Sequence, residues 1–98
     1  MANPLAVSAL TTEQLLLPVT GSDGYTSLPV EVSLVRAGLT PDVDDWHVGS
    51  WVDGQAALLI GPDGDVTYPP GLYRPRVRID GGLEVPVLKF RMIRITPN

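Results

Sequence analysis

The sequence predicts a single all-β domain built as a sandwich of about seven strands. Short apolar runs with alternating polarity recur along the 98 residues. Ten glycines and ten prolines separate these runs as turn residues. No long window has the 3.6-residue period of an amphipathic helix. We expect one domain over residues 1–98, with residues 1–12 as a candidate N-terminal arm.

The predicted strands alternate in polarity and end at turn residues. Thr12–Leu17 could form one helical turn, but Pro18 follows at once, so a strand is preferred there. Asp53-Gly54 is typical of a type I′ hairpin, which needs positive φ at both positions. Further turns are predicted at Gly21–Gly24, Ala37–Asp44, Gly61–Gly64, Pro69–Gly71 and Asp80–Gly82. The predicted strands are Leu5–Leu10, Glu13–Thr20, Leu28–Arg36, Asp45–Val52, Gln55–Ile60, Val66–Tyr68, Leu72–Ile79 and Glu84–Thr96.

Two local features favour an immunoglobulin-like Greek-key β-sandwich over a closed barrel. The segment Pro70–Tyr73 is similar to a tyrosine corner, in which a Tyr at the start of the penultimate strand hydrogen-bonds back to loop backbone. Trp46 lies on a strong predicted strand, where such sandwiches bury a Trp in the core. Three prolines within or beside strands, Pro29, Pro75 and Pro86, are expected at sheet edges or bulges.

Composition excludes several classes of function. The chain has 44% hydrophobic and 18% charged residues, as globular domains have. It contains no cysteine, which excludes disulfides, thiol catalysis and thiolate metal sites. Its first residues lack the basic start and apolar stretch of a signal peptide, and no apolar run approaches the roughly 18 residues of a membrane span. We expect no membrane partner.

No catalytic residue, cofactor site or metal site is predicted. His47, the only histidine, should point away from the face that takes Trp46, as a solvent-facing or hydrogen-bonded strand residue; a pH-sensitive contact is the alternative. The glycine-rich turns lack the phosphate-loop pattern. Two acidic loops are interpreted as turns, with a cation site as the alternative. They contain Asp42, Asp44 and Asp45, and Asp63 and Asp65.

The most informative feature is a row of arginines in the strand Leu72–Ile79. Arg74, Arg76 and Arg78 alternate with apolar residues, and positions i, i+2 and i+4 of a strand share one face. The last strand should pair with this one and add further bases, with a bulge before Arg94 resetting its alternation. The predicted partner-binding residues are Arg74, Arg76, Arg78, Lys89, Arg91 and Arg94.

Charge placement indicates what this basic surface could meet. Residues 1–68 contain nine acids and one base, whereas residues 69–98 contain six bases and two acids. A solvated face, with arginine stems covering apolar surface, is one interpretation. A partner with carboxylates or phosphates is the other, and an acidic surface on a copy of the same chain would serve. Nucleic acid and small-molecule substrates are disfavoured, because aromatic residues do not interleave there and the net charge is −4.

The run from Leu28 to Ile95 resembles a group of small proteins of bacteriophages that infect actinobacteria. The shared pattern includes a Pro-Val-Glu-Val strand, Asp-Trp-His followed by a second Trp, and a Pro-Gly-x-Tyr corner before an arginine-bearing strand. The matching segments are Pro29–Val32, Gly38–Pro41, Asp45–His47 with Trp51, Leu58–Pro62, Pro70–Tyr73, Arg74–Ile79 and Val85–Val87.

The resemblance implies a non-enzymatic structural part of the virion, since such proteins are encoded among head and tail genes. The resemblance fits a position on the capsid, at the head–tail junction or in the tail; of these, we predict a capsid decoration or minor capsid protein, or a head–tail connector component. Its partners would be other virion proteins and copies of itself. The alternative is a carbohydrate- or host-surface-binding immunoglobulin-like module of the phage tail, which requires exposed stacking rings. The candidate rings are Trp51, Tyr25 and Tyr68.

Overall fold

A computed structural model of the chain describes residues 5–19, 25–64, 66–81 and 85–97. Three predicted features fall outside these ranges. They are the turn at Gly21–Gly24, the residue Asp65, and the last residue of the turn at Asp80–Gly82. No helix in the described part is long and apolar enough to cross a membrane. The strands are β1 (Leu5–Ser8), β2 (Glu13–Pro18), β3 (Val30–Arg36), β4 (Trp46–Val48), β5 (Ser50–Val52), β6 (Gln55–Ile60), β7 (Gly71–Ile79), β8 (Val87–Lys89) and β9 (Ile93–Thr96).

These strands form two sheets that share one hydrophobic core, so the predicted all-β, sandwich-like architecture is confirmed. Sheet A has the order β1-β9-β7-β3-β4, and β8 also pairs with β7. Sheet B has the order β2-β6-β5. The strands β1 and β9 are parallel, and the other named pairs are antiparallel. Both sheets contribute to the core, among others through Val32, Tyr73, Val77 and Ile93 of sheet A and Leu15, Leu17, Leu58 and Ile60 of sheet B.

Two predicted turn features are present. Asp53 and Gly54 have φ of 49° and 78°, as a type I′ hairpin requires, and they join β5 to β6. The Tyr73 side chain is 3% exposed, and its hydroxyl donates a hydrogen bond to the Pro69 carbonyl over 2.6 Å. The backward hydrogen bond expected of a tyrosine corner is therefore confirmed.

The prediction of one strand over Asp45–Val52 is wrong. The chain leaves sheet A after β4 and enters sheet B at β5, and the switch occurs at Gly49. A Cβ at Gly49 would lie 2.9 Å from the Ala57 carbonyl oxygen. Real Cβ atoms do not come this close to another atom, so only glycine lets the backbone pass so near β6. The Gly49 N–H donates a hydrogen bond to the Val30 carbonyl.

The last strand is interrupted rather than continuous. Lys89 lies opposite Arg76 and Ile93 lies opposite Tyr73, so three residues of one strand face two of the other. This extra residue is the predicted bulge, and it lies against Pro75, whose missing N–H weakens the ladder there. The strand predicted over Val66–Tyr68 is also absent from the described chain, where a single bridge joins Val66 to Ile60.

Candidate docking surface

Strand β7 presents its three arginines on the outer side of sheet A, away from the core. Along Tyr73–Ile79, buried residues alternate with the partly buried Arg74, Arg76 and Arg78. The alternation is regular because β7 pairs with β3 along one edge and with β8 and β9 along the other. The predicted sharing of one face by these arginines is therefore confirmed.

Register brings two further predicted bases onto this surface. Lys89 lies directly opposite Arg76, and Arg94 lies opposite Leu72, which shares the outer side with the arginines. Both Lys89 and Arg94 are exposed. Among the residues of the named strands that project from this side of sheet A, the one acid is Glu31; the exposed Asp80 follows Arg78 in the same alternation just beyond β7. We call the five bases the cationic face: Arg74, Arg76, Arg78, Lys89 and Arg94.

Arg78 is held by two neighbours. Its Nη2 and Nε donate to Glu31 Oε1 over 2.8 and 3.1 Å. Its guanidinium lies 4.3 Å from the centre of the Trp46 ring, in cation–π contact. The predicted burial of Trp46 in the core is wrong: Trp46 lies opposite Ser33 on β3 and covers the outer side of sheet A. The sequence gives no signal for this, because the side that Trp46 takes depends on which strand β4 joins.

Arg74 and Arg76 also make contacts within the chain. Arg74 Nη1 donates to the Phe90 carbonyl over 2.6 Å, which satisfies a backbone acceptor at the bulge. Arg76 Nη2 makes a long contact of 3.4 Å with the Leu39 carbonyl. Within the described chain, Arg76 Nη1 and the opposite Ser33 Oγ are buried without hydrogen-bond partners. The freely exposed bases of the cationic face are therefore Lys89 and Arg94.

Arg91, the sixth predicted binding residue, lies elsewhere. It falls within the bulge between β8 and β9 and borders an open groove between the two sheets. Leu17 and Pro18 of β2 border the same groove. The structure therefore brings five of the six predicted residues together on one face and places Arg91 at a different site.

Acidic residues collect at one end of the sandwich. The loops 37–45 and 61–70 lie at the same end, because β3 ends and β7 begins there with Arg36 opposite Tyr73. The Asp45 carboxylate accepts a hydrogen bond from the Asp42 backbone N–H over 2.8 Å, so it serves as a turn residue, as predicted. No group of three candidate metal-ligating side chains occurs in the described chain. The described acids at this end are Glu13, Asp42, Asp44, Asp45 and Asp63.

The candidate stacking rings are occupied in packing. Trp51 and Tyr25 form an edge-to-face pair with ring centres 5.2 Å apart. The Trp51 indole N–H donates to Leu28, and the Tyr25 hydroxyl donates to Val19 and Gly54. Trp51, Tyr25 and Tyr68 are all partly buried and pack against the core. These three rings are held by packing within the domain, and they do not form an exposed platform.

Burial raises the pKa of Tyr68 to about 12, and the nearby Asp45 and Tyr73 add to the rise. His47 lies on the side away from Trp46, as predicted. That side is the inner one, where His47 lies opposite the core residue Val32, so His47 is partly buried at the edge of sheet A instead of facing solvent.

Comparison with known proteins gives no match. No family model, no curated protein and no solved structure matches the chain.

Proposed function

We propose that this chain is a non-enzymatic structural protein of a bacteriophage virion, placed on the capsid or at the head–tail connector. The observation that carries the proposal is the cationic face, where five bases and one acid project from a sheet. A broad sheet surface of one charge suits docking on an acidic protein surface. The resemblance to small actinobacteriophage proteins supplies the biological setting.

The chemistry of the cationic face favours a partner that carries carboxylates. Arg78 already binds Glu31 through two nitrogens, so its guanidinium is compensated within the chain. Lys89 and Arg94 are exposed and have no such compensation in the described structure. Like charges on neighbouring strands repel, and an acidic partner surface would relieve that repulsion. We therefore infer that Lys89 and Arg94 make the principal contacts and that the three arginines support them.

We also infer that the sandwich is immunoglobulin-like. In that fold, one sheet places its last strand beside the penultimate strand and then the third strand, and the other sheet pairs the second, fifth and fourth strands. If β8 and β9 are counted as one interrupted last strand and β4 as an added edge strand, the order β9-β7-β3-β4 against β2-β6-β5 has this arrangement. The hydrogen bond from Tyr73 to Pro69 at the start of β7 gives independent support. Such modules serve as repeated docking units, in agreement with a structural role.

The proposal is tested on purified phage particles. Mass spectrometry should detect the chain as a stoichiometric virion component; its absence from particles would contradict the proposal. Hundreds of copies would place it on the capsid, whereas about six or twelve would place it in a ring at the connector.

The docking face is tested by complementing a phage that lacks this gene. The double variant Lys89→Ser/Arg94→Ser should fold normally and enter particles at a reduced copy number, because exposed charges contribute little to folding. Arg36→Ser is the control for loss of a base outside the cationic face. Because the Arg36 guanidinium contacts the Tyr73 ring and the Pro70 carbonyl, circular dichroism checks that this control folds normally. Normal incorporation of the double variant would show that another surface docks.

A further inference from the structure

Strand β2 forms an open edge of sheet B. It pairs with β6 on one side, and no described strand pairs with its other side. Such an edge presents unpaired backbone N–H and C=O groups, which can pair with another strand. The neighbouring strand β1 pairs with β9 of sheet A and forms no strand pair with β2, although its Leu5 and Val7 side chains lie beside this edge.

Apolar side chains surround the open edge. An open groove of about 290 Å³ runs between β2 and sheet A, and Leu15, Leu17, Phe90 and Ile93 line it. Leu5 and Leu16 border it and remain 45% and 39% exposed. Natural proteins usually protect such an edge with charges, bulges or prolines. In β2 those devices occur only at the ends, as Glu13 and Pro18, so the middle of the strand is available for pairing.

The two ends of the groove carry opposite charges. At one end the groove adjoins a second hollow that shares Leu15 and Leu16 with it, and Glu13 lines that hollow. Arg91 borders the other end together with Leu17 and Pro18. Neither Glu13 nor Arg91 forms a salt bridge within the described chain. An antiparallel arrangement of two such edges would bring each Glu13 to the end where the other copy carries Arg91.

We propose that two copies of this chain form a symmetric dimer by pairing their β2 strands antiparallel, which joins the two B sheets into one. With the two-fold axis at Leu15, Glu13 lies opposite Leu17 of the second copy. Gln14 then lies opposite Leu16, so each exposed Leu16 gains a cross-strand neighbour from the second copy. This register leaves Pro18, which has no N–H to donate, outside the paired segment. The contact is isologous, so it closes at two copies.

The proposed interface lies at the β2 edge of sheet B and the adjoining bulge with Arg91, while the proposed virion docking uses the outer side of sheet A. The dimer therefore stands independently of the proposed function. One short strand pair covers less surface than a standard protein–protein interface, so we expect a Kd in the micromolar range, roughly 1–100 µM.

Sedimentation equilibrium up to about 200 µM tests the dimer directly. The natural chain should change from monomer to dimer over this range, and a monomer throughout would overturn the proposal. Leu16→Lys should remain monomeric, because a lysine at the middle of the edge opposes strand pairing. The matched control is Leu59→Lys on β6, since Leu59 is 37% exposed on the same side of sheet B but lies on the central strand. It should dimerise like the natural chain, and equal loss in both variants would contradict an interface at β2.

Charge exchange tests the orientation. Glu13→Arg and Arg91→Glu should each weaken the dimer about tenfold, because each places like charges together. The double variant should recover most of the natural affinity, because every copy then again carries one charge of each sign. Failure of the double variant to recover would exclude the antiparallel register, even if the natural chain dimerises.

Cysteine cross-linking tests the register, and the cysteine-free chain provides a clean background. A mixture of Gln14→Cys and Leu16→Cys should form disulfide-linked dimers under mild oxidation, because directly opposite residues on antiparallel strands approach disulfide distance. The control mixture is Ser50→Cys with Val52→Cys, on the other edge strand of sheet B. Equal or faster cross-linking in the control would assign the contact to β5 and overturn the proposal.

Discussion

At the scale of the residue, two tyrosines at one end of the sandwich have different environments. Their rings are in edge-to-face contact, with centres 5.4 Å apart. The Tyr73 hydroxyl is bonded to Pro69, whereas the Tyr68 hydroxyl is buried without a hydrogen-bond partner in the described chain. A buried hydroxyl without a partner costs stability, and a bonded one contributes it.

Tyr68→Phe should therefore leave the free energy of unfolding unchanged or raise it by up to about 1 kcal/mol. It should also change the alkaline response. The folded-state pKa of Tyr68 is raised to about 12 from an ordinary value of 10.0, so the fold favours the neutral phenol. This contribution is fully present below pH 10 and is lost as the pH rises from about 10 to 12.

Urea unfolding at neutral and alkaline pH measures both effects. The variant should lose less stability than the natural chain over the alkaline range. Tyr73→Phe is the control: it removes a formed hydrogen bond and should lower the free energy of unfolding by about 1 kcal/mol. If Tyr68→Phe instead destabilises the chain as much as Tyr73→Phe does, the Tyr68 hydroxyl has a partner in solution.

At the scale of the element, two local backbone features, Gly49 and the bulge after Lys89, determine where strands end and which side their residues face. Gly49 ends β4 and lets the chain change sheets, because its backbone passes close to Ala57. The bulge after Lys89 allows Arg94 to take the outer side of sheet A, where unbroken alternation would have turned it inward. The strand switch thus supplies the edge strands β4 and β5, and the bulge completes the cationic face.

Gly49→Ala should destabilise the fold by about 1–3 kcal/mol, because the new Cβ meets the Ala57 carbonyl and the Val32 side chain. Thermal unfolding measures the change, and for a domain of this size each 1 kcal/mol shifts the Tm by about 4–8 °C. Ser50→Ala, at the next and exposed position, should stay within about 0.5 kcal/mol. A Gly49→Ala variant as stable as Ser50→Ala would mean that the chain relaxes away from β6 without cost.

At the scale of the whole molecule, the two sheets have outer sides of different chemistry. The outer side of sheet A carries the cationic face, whereas the residues of sheet B that share the phase of Leu16 and Leu59 are uncharged. Five of the eight described acids lie at one end of the sandwich, four of them in loops. One small domain can therefore meet an acidic partner on one sheet and a second copy at the edge of the other.

This separation predicts independent effects of variants at the two surfaces. Lys89→Ser/Arg94→Ser should leave the dimer Kd within about twofold of the natural value, because distant sites act additively. Leu16→Lys should lose the dimer and keep the docking that we propose for the cationic face, measured as its copy number in particles. Loss of both properties in either variant would show that the surfaces are coupled or that the variant is misfolded, and circular dichroism separates those cases.

The sequence by itself determined what depends on neighbours along the chain. The period of two in Tyr73–Ile79 predicted which side chains point outward, and Asp53-Gly54 predicted its turn type, because both follow from local backbone geometry. Only the tertiary structure decided which sheet each strand joins. That choice places Trp46 outside the core, sets Glu31 against Arg78 and leaves β2 at an open edge. These features depend on register between residues far apart in sequence, which no local pattern encodes.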